Sequence, residues 1–295
     1  MTFKQKYDAV VAKNNSLVCV GLDSDVDKIP KHLSAKGGRF QFEFNKVIID
    51  ATHDLVCAYK PNTAFYERHG VEGVQNLYDT IQYVRATYPE VLIVLDAKRA
   101  DIGNTNIGYV GYAFDWLGAD AITLHPYLGR EALQPFLDRK DTFSFILCRT
   151  SNPGAGELQD VFVILGSEAT PESDSGQARM TNSKKPLFEI VAQKVSKEWN
   201  NNQNCGLVVG ATYPEELGQV RKIVGDDMLF LVPGIGAQGG DVEKTVKAGL
   251  DSKKAGMIIN SSRGIIFASS GLDFADRARG ETMKLRDEIN KYRSF

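Results

Sequence analysis

Eight short apolar segments recur along the chain and alternate with segments of helical periodicity. Each segment is four to six residues long and almost continuously hydrophobic, as is typical of parallel strands that are buried on both faces. We predict strands at residues 17–21, 55–60, 91–95, 121–124, 143–148, 206–209, 228–232 and 256–259.

The segments between these strands carry apolar residues at intervals of three or four, which predicts amphipathic helices. Such helices are expected around residues 40–51, 71–84, 107–114 and 187–194. Thr2 can cap an extra N-terminal helix. The buried face of that helix would carry Phe3, Tyr7, Val10 and Val11.

Eight strand–helix units in one chain predict a single α/β domain over residues 1–295, a (β/α)₈ TIM barrel. A doubly wound sheet stays open at this stage, because periodicity does not distinguish a closed parallel sheet from an open one. Two connections are long: residues 24–39 after the first strand and 157–186 after the fifth. Loops of this length are often functional, although a surface insertion explains the polar stretch 166–176 equally well.

Charge and composition narrow the class of protein. Lys and Arg total 35 and Asp and Glu 37, a formal net charge of −2. A general nucleic-acid binder needs clustered positive charge, so no nucleic-acid partner is expected. The sequence shows neither a secretory signal nor a run of 18 apolar residues, so we expect a cytoplasmic protein without membrane contact.

The four cysteines form no C-x-x-C pair and are predicted to be buried hydrophobic residues: Cys19, Cys57, Cys148 and Cys205.

Most of the candidate chemistry lies at the C-terminal ends of the predicted strands, which form the mouth of such a barrel. Asp96, Lys98 and Asp101 follow the third strand, and Asp23 and Lys60 end the first two. Strand alternation points Asp96 and Lys98 to the same side. A partly desolvated cluster of this kind keeps a lysine protonated. The alternative is a solvated loop with weak surface ion pairs, which the charged residues on the adjacent strands make less favourable.

Two loops are candidates for binding a phosphate group. Residues 233–241 follow the seventh strand and are rich in glycine, and residues 261–264 follow the eighth. Loops at these positions often bind phosphate through backbone N–H groups, and Arg263 would add a guanidinium group. A plain glycine-rich turn explains either loop alone. The G-x-G-x-x-G match at 234–239 is interpreted as part of a monophosphate site, because it follows the seventh strand rather than opening a βαβ unit.

Taken together, these residues resemble the orotidine 5′-monophosphate decarboxylase family. Residues 96–105 (DAKRADIGNT) are similar to the family signature, and the other matching segments follow in the family's order. These segments are 21–23, 60–62, 150–154, 233–236 with Gln238, and 262–263. The long loops resemble those of the long bacterial branch.

The resemblance implies a homodimeric barrel that uses neither a metal nor an organic cofactor. It implies conversion of orotidine 5′-monophosphate to uridine 5′-monophosphate (UMP) and CO₂, the last step of de novo UMP biosynthesis. Lys98 would donate a proton to C6 of the pyrimidine, with Asp96 beside the scissile carboxylate. Lys60 and Asp23 would bind the ribose hydroxyls and extend the charged network.

Further roles come from the same resemblance. Asp101, Ile102 and Thr105 would reach into the site of the partner subunit. Substrate binding is implied for five further residues: Ser151 at the pyrimidine amide, Pro233 at the pyrimidine pocket, and Gln238, Arg263 and Ser262 near the phosphate. Ser262 stands where the short-chain branch has glycine.

Three other functions remain open from the sequence. Metal-dependent sugar-phosphate lyases and decarboxylases of the same superfamily share D-x-K-x-x-D, but they have a glutamate at the end of strand two. This chain has Lys60 there, which would repel Mg²⁺. A Schiff-base aldolase would use Lys98 or Lys60. The third is a barrel that only binds a nucleotide or serves as a scaffold.

Overall fold

The computed structural model describes residues 1–33, 39–165, 183–236 and 239–293. In chain order its strands are β1 (Val18–Gly21), β2 (Ala58–Lys60), β3 (Leu92–Arg99), β4 (Ala121–Leu124), β5 (Phe143–Arg149), β6 (Phe162–Leu165), β7 (Ser183–Pro186), β8 (Cys205–Val209), β9 (Phe230–Pro233) and β10 (Met257–Ser261). All except β6 and β7 pair in parallel and close into a barrel, in the order β1-β10-β9-β8-β5-β4-β3-β2. The predicted TIM barrel is confirmed. The doubly wound sheet is excluded, because β1 pairs with both β2 and β10.

Most of the helices cover the outside of the barrel and connect its strands, whereas the first helix precedes β1 and the last follows β10. The helices are α1 (Phe3–Asn14), α2 (Phe40–Thr52), α3 (Ala64–Glu67), α4 (Gly70–Thr87), α5 (Gly103–Val110), α6 (Gly129–Leu137), α7 (Gly156–Gln159), α8 (Leu187–Lys194), α9 (Pro214–Val224), α10 (Val242–Gly249), α11 (Arg263–Ile266) and α12 (Phe274–Lys291). Single π-helical segments continue α5 over Gly111–Trp116 and α8 over Val195–Trp199. Over the part of the chain that is described, no helix is both long and apolar enough to cross a membrane.

The extra N-terminal helix α1 packs against the N-terminal ends of the barrel strands. Thr2 caps it with a capping box, and the four residues predicted for its buried face are buried. The Tyr7 hydroxyl donates to the Met257 carbonyl at the start of β10 (2.9 Å). The Phe3 ring stacks on Phe143 at the start of β5, with 4.4 Å between centroids. The helix is therefore placed at the end of the barrel opposite the predicted mouth. The four cysteines are free and buried, as predicted.

The connection after β5 contains more regular structure than the sequence indicates. Short helix α7 follows β5, and β6 pairs with β7 as an antiparallel hairpin. The prediction of a plain loop over 157–186 was therefore incomplete, because the sequence of β7, SKKP, has no apolar alternation. The polar stretch 166–176 lies outside the described residues, as does the segment 34–38 of the first long connection.

Candidate active site

The C-terminal ends of the barrel strands surround a cavity of about 460 Å³. It lies where the sequence predicted the candidate chemistry to converge. Eight of the predicted site residues line this cavity: Asp23, Lys60, Asp96, Lys98, Ser151, Pro233, Ser262 and Arg263.

Asp96 accepts hydrogen bonds from four side chains at the cavity. Its Oδ1 accepts hydrogen bonds from the Lys98 ammonium (2.6 Å) and the Thr123 hydroxyl (2.9 Å). Its Oδ2 accepts hydrogen bonds from the Lys60 ammonium (2.8 Å) and the Asn62 amide (3.2 Å). One carboxylate thus joins β2, β3 and β4 at the mouth of the barrel.

The charges of Lys60 and Asp96 stabilise one another in a buried setting. Burial disfavours the charged form of Lys60, but Asp23 and Asp96 outweigh it and raise the pKa of the lysine above its usual value. Burial also opposes ionisation of Asp96, but Lys60 and Lys98 hold the pKa of that carboxyl well below its usual range. Both groups are therefore charged throughout the neutral pH range.

Asp23 lies at the cavity beside Lys60. Its Oδ1 lies 3.7 Å from the Lys60 ammonium and accepts no hydrogen bond within the described residues, although the atom is buried. The Asp23 side chain is 17% exposed at the cavity, so a hydroxyl of a ligand can reach the carboxylate.

The backbone around Lys98 departs from regular strand geometry. Lys98 has a φ of 47°, which is uncommon for a residue with a side chain. The pairing of β3 with β4 shifts register between Leu95 and Arg99. The Lys98 N–H donates to the Thr123 hydroxyl (2.9 Å) rather than to a backbone carbonyl. This bulge places Lys98 at the cavity, with its side chain about half exposed.

The opposite side of the cavity carries Arg263 and a glycine turn. Arg263 begins α11, is exposed, and forms no ion pair or hydrogen bond through its side chain within the described ranges. The Ser262 hydroxyl donates to the Gly21 carbonyl (3.0 Å). Gly234 and Gly236 have φ values of 103° and 80°, a region that favours glycine, so the backbone turns sharply after β9. Gln238, the other predicted phosphate ligand, lies outside the described residues.

Three predicted site residues do not line the cavity of their own chain: Asp101, Ile102 and Thr105. The backbone N–H of Asp101 donates to the Asn106 amide oxygen (2.9 Å), and its carboxylate accepts the Ile102 N–H (2.7 Å). Ile102 is 65% exposed. Within the described part of the chain, Asp101 forms no hydrogen bond or ion pair with Lys98.

Several cavity residues received no role from the sequence. The polar ones are Asn62, Thr123, Thr150, Asn152, Gln159 and Asn260. The apolar wall consists of Leu147, Val208, Leu231 and Ile235. Strand alternation could have identified Thr123 and Asn260, because each lies one residue before the end of its strand. Gln159 lies ten residues beyond the end of β5, where no periodicity indicates its direction.

Gln159 reaches the cavity because β5 holds α7 in place. Its side-chain oxygen accepts the Thr150 N–H (2.8 Å). The buried guanidinium of Arg149 forms an ion pair with Asp160 (3.1 Å) and lies 3.8 Å from the centre of the Tyr213 ring. These contacts attach the start of the connection after β5 to the barrel.

The cavity combines a lysine, a carboxylate that accepts its hydrogen bond, and the exposed Arg263. An ammonium group in this setting can stabilise negative charge on a bound molecule and can transfer a proton to it. Among the residues that the structure describes, no three His, Cys, Asp or Glu side chains lie close enough together to hold a metal ion.

Comparisons with known proteins find similar proteins along the whole length of the chain. A model described as "Orotidine 5'-phosphate decarboxylase / HUMPS family" matches residues 16–277. Proteins named orotidine 5'-phosphate decarboxylase from Ralstonia nicotianae and Cellvibrio japonicus are each 44% identical, with 100% of both chains aligned. The solved structure of Leishmania donovani OMP decarboxylase is 37% identical, with a TM-score of 0.78 and 99% of each chain covered. Leishmania donovani UMP synthase is 38% identical, with a TM-score of 0.82, over 99% of this chain and 57% of that one.

Proposed function

Because the chain belongs to the orotidine 5'-phosphate decarboxylase / HUMPS family and is a carboxy-lyase, we propose that Lys98 supplies the proton that replaces CO₂ on its substrate. The reaction is the decarboxylation of orotidine 5′-monophosphate to UMP, the final step of UMP biosynthesis. The observation that carries the proposal is the Lys98 ammonium, 2.6 Å from Asp96 Oδ1 and half exposed at the cavity.

The chemistry requires electrostatic stabilisation and a proton. The bond between C6 and the carboxylate breaks, CO₂ leaves, and the electron pair stays on C6. No carbonyl group of the pyrimidine is positioned to delocalise this pair. The ammonium of Lys98 stabilises the developing charge and transfers a proton to C6, and the neutral amine then regains a proton from water. The Asp96 carboxylate repels the substrate carboxylate, and the departure of CO₂ relieves that repulsion.

The ribose and the pyrimidine have separate candidate partners. Asp23 lines the cavity with a partly exposed side chain, and a ribose hydroxyl donates to its carboxylate. Lys60 lies beside it and contributes to the same contact. In the proposal Ser151 binds the pyrimidine amide and Pro233 contacts the ring, since both residues line the cavity.

The phosphate binds at the Arg263 side of the cavity. A guanidinium group without an ion-pair partner is suited to a phosphate dianion. Gln238 and the backbone at Ser262 complete this subsite in the proposal. Because the phosphate is remote from C6, its binding energy can stabilise the arrangement in which the substrate reacts.

We also propose a homodimer in which Asp101, Ile102 and Thr105 contribute to the site of the partner subunit. Exposed apolar side chains beside them support this proposal. Ile102 and Ile107 are 65% and 61% exposed, and Tyr127 is 79% exposed. These residues belong to α5 and to the connections at its start and before α6, and α5 packs on α6. Exposed apolar side chains on neighbouring elements are typical of protein interfaces.

We also propose that the protein is cytoplasmic, because the enzyme has to be in the compartment that contains its substrate and its product. The substrate and the product are phosphorylated nucleotides, and a lipid bilayer opposes the passage of such charged molecules.

Turnover of orotidine 5′-monophosphate in the presence of EDTA tests the proposed reaction. We expect wild-type protein to form UMP and CO₂ at the same rate with and without EDTA. We expect the rate of Lys98→Ala to be about 100- to 10,000-fold lower than that of wild-type protein, which is the range of rate enhancement that a general acid contributes. Lys247→Ala is the matched control, because Lys247 is a similarly exposed lysine that pairs with Glu243 on α10.

The contradicting outcomes distinguish the alternatives. EDTA-sensitive turnover would favour a metal-dependent lyase. Activity of Lys98→Ala equal to that of Lys247→Ala would remove Lys98 as the proton donor. A folded wild-type protein that binds UMP without turnover would indicate a barrel that only binds nucleotides.

A further inference from the structure

Thr123 is a buried residue of β4 that lines the cavity and contacts both Asp96 and Lys98. Its hydroxyl donates a hydrogen bond to Asp96 Oδ1 (2.9 Å) and accepts one from the Lys98 N–H (2.9 Å). A hydroxyl group has one hydrogen and two lone pairs, so it can form both bonds at the same time.

The position of Thr123 relative to the β3 bulge explains these contacts. In the β3–β4 ladder, Leu95 pairs with Ile122 and Arg99 pairs with Leu124. Residues 96–98 of β3 therefore lie opposite a single residue of β4, which is Thr123. A strand bulge leaves backbone groups without ladder partners. The Thr123 side chain satisfies one of them, the N–H of Lys98.

The conformation of Lys98 depends on such a partner. Its φ of 47° is disfavoured for a residue with a side chain, and a conformation of this kind persists only when surrounding contacts enforce it. The Thr123 hydroxyl acts on the backbone from which the lysine side chain extends. Through Asp96 Oδ1 it also acts on the carboxylate that holds the lysine ammonium.

We propose that Thr123 is a positioning residue that fixes Asp96 and Lys98 together in the arrangement needed for proton transfer. This inference rests on the proposed role of Lys98. After Lys98 has given its proton to C6, Asp96 Oδ1 has lost the charge of the ammonium but keeps the hydrogen bond from Thr123. The carboxylate therefore keeps its orientation until the amine is protonated again.

Two substitutions distinguish the effect of the Thr123 hydroxyl from the effect of the rest of its side chain. Thr123→Val retains the β-branched shape suited to a strand and removes both hydrogen bonds. Thr123→Ser retains the hydroxyl and removes a methyl group. Thr282→Val is the matched control, because Thr282 is a fully buried threonine of α12 whose hydroxyl donates to the Ala278 carbonyl.

We expect Thr123→Val to lower kcat by about 10- to 100-fold, as for one lost hydrogen bond to a charged group. Thr123→Ser and Thr282→Val are expected to keep kcat close to that of wild-type protein. UMP lacks the carboxylate and needs no proton, so its Kd is expected to be the same in all four proteins. An unchanged kcat in Thr123→Val, an equal loss in the serine variant, or a parallel loss of UMP affinity would overturn the proposal.

Crystal structures of the two Thr123 variants give a readout that does not depend on turnover. The positive φ of Lys98 and the contact between its ammonium and Asp96 Oδ1 should persist in the serine variant and be lost in the valine variant. Their persistence in the valine variant overturns the positioning role. A wild-type protein without decarboxylase activity would instead contradict the proposed function and leave the structural result valid.

Discussion

Each carboxylate oxygen of Asp96 is shared by one ammonium group and one neutral donor. Four donors around a buried carboxylate offset the cost of removing its charge from water. They also fix its orientation before any substrate is present. A site whose charges are already oriented loses little free energy to reorganisation during the reaction.

Arg263 provides a test at the level of a single residue. We expect Arg263→Ala to lower kcat/KM for orotidine 5′-monophosphate by about 100-fold, because a bidentate, charge-assisted contact to the phosphate is lost. The variant should act on orotidine, which has no phosphate, as wild-type protein does. Steady-state kinetics with both substrates measure this difference. Arg277→Ala is the control, since Arg277 is an exposed arginine paired with Asp273 on α12.

An equal effect of Arg263→Ala on both substrates would show that Arg263 acts elsewhere than at the phosphate. An unchanged kcat/KM for the phosphorylated substrate would remove the residue from the site.

The sequence predicts some site residues and misses others for physical reasons. Asp96 and Lys98 could be placed together at the barrel mouth because they directly follow an apolar strand, but the sequence did not show the bulge that orients Lys98. Strand alternation also applies to Thr123 and Asn260, which lie one residue before the ends of their strands. They were missed because a neutral polar residue there resembles a satisfied core residue, so that alternation alone gives it no role.

Short helix α7 shows how one element brings a side chain to the cavity from outside the barrel. Arg149 at the end of β5 is buried, and its guanidinium joins Asp160 and the Tyr213 ring. This contact holds the turn that carries Gln159 against Thr150. The element is too short to be stable by itself, so its position depends on the contacts with the barrel.

We expect Arg149→Met to loosen α7 while retaining an apolar stem of similar length. KM for orotidine 5′-monophosphate should rise about threefold to tenfold, as for one weakened hydrogen bond in the cavity, and kcat should change little. Limited proteolysis should become faster near residues 156–160. Arg139→Met is the control, because Arg139 forms ion pairs with Asp115 and Asp141 outside the cavity. Unchanged KM and proteolysis would show that Arg149 does not hold α7.

The elements predicted from the sequence have clear periodicity, but helices α6, α9, α10 and α12 were not assigned individually. The helix predicted around 71–84 is observed as α4 over Gly70–Thr87. The β6–β7 hairpin was missed because its pairing depends on backbone hydrogen bonds that side-chain patterns do not report. Strand β3 extends beyond the prediction to Arg99, because the bulge continues it through charged residues.

At the scale of the whole molecule, barrel closure brings residues from distant parts of the sequence into one cavity. Strand β1 pairs with β10, so that Asp23 and Arg263 both border the space above Lys60 and Lys98. Eight strand–helix units predict this architecture, but their periodicity does not predict closure. The site is proposed to be complete only when a second chain contributes Asp101.

The turnover of mixed dimers is the most direct test of a decarboxylation site that Lys98 and the partner's Asp101 share. Lys98→Ala and Asp101→Ala subunits would carry different affinity tags, so that dimers containing one of each can be isolated. We expect each parent dimer to have lost most of its activity. The mixed dimer should recover about half of the wild-type turnover, because one of its two sites then contains both native residues. A mixed dimer as inactive as its parents, or a wild-type protein that is active as a monomer, would contradict the shared site.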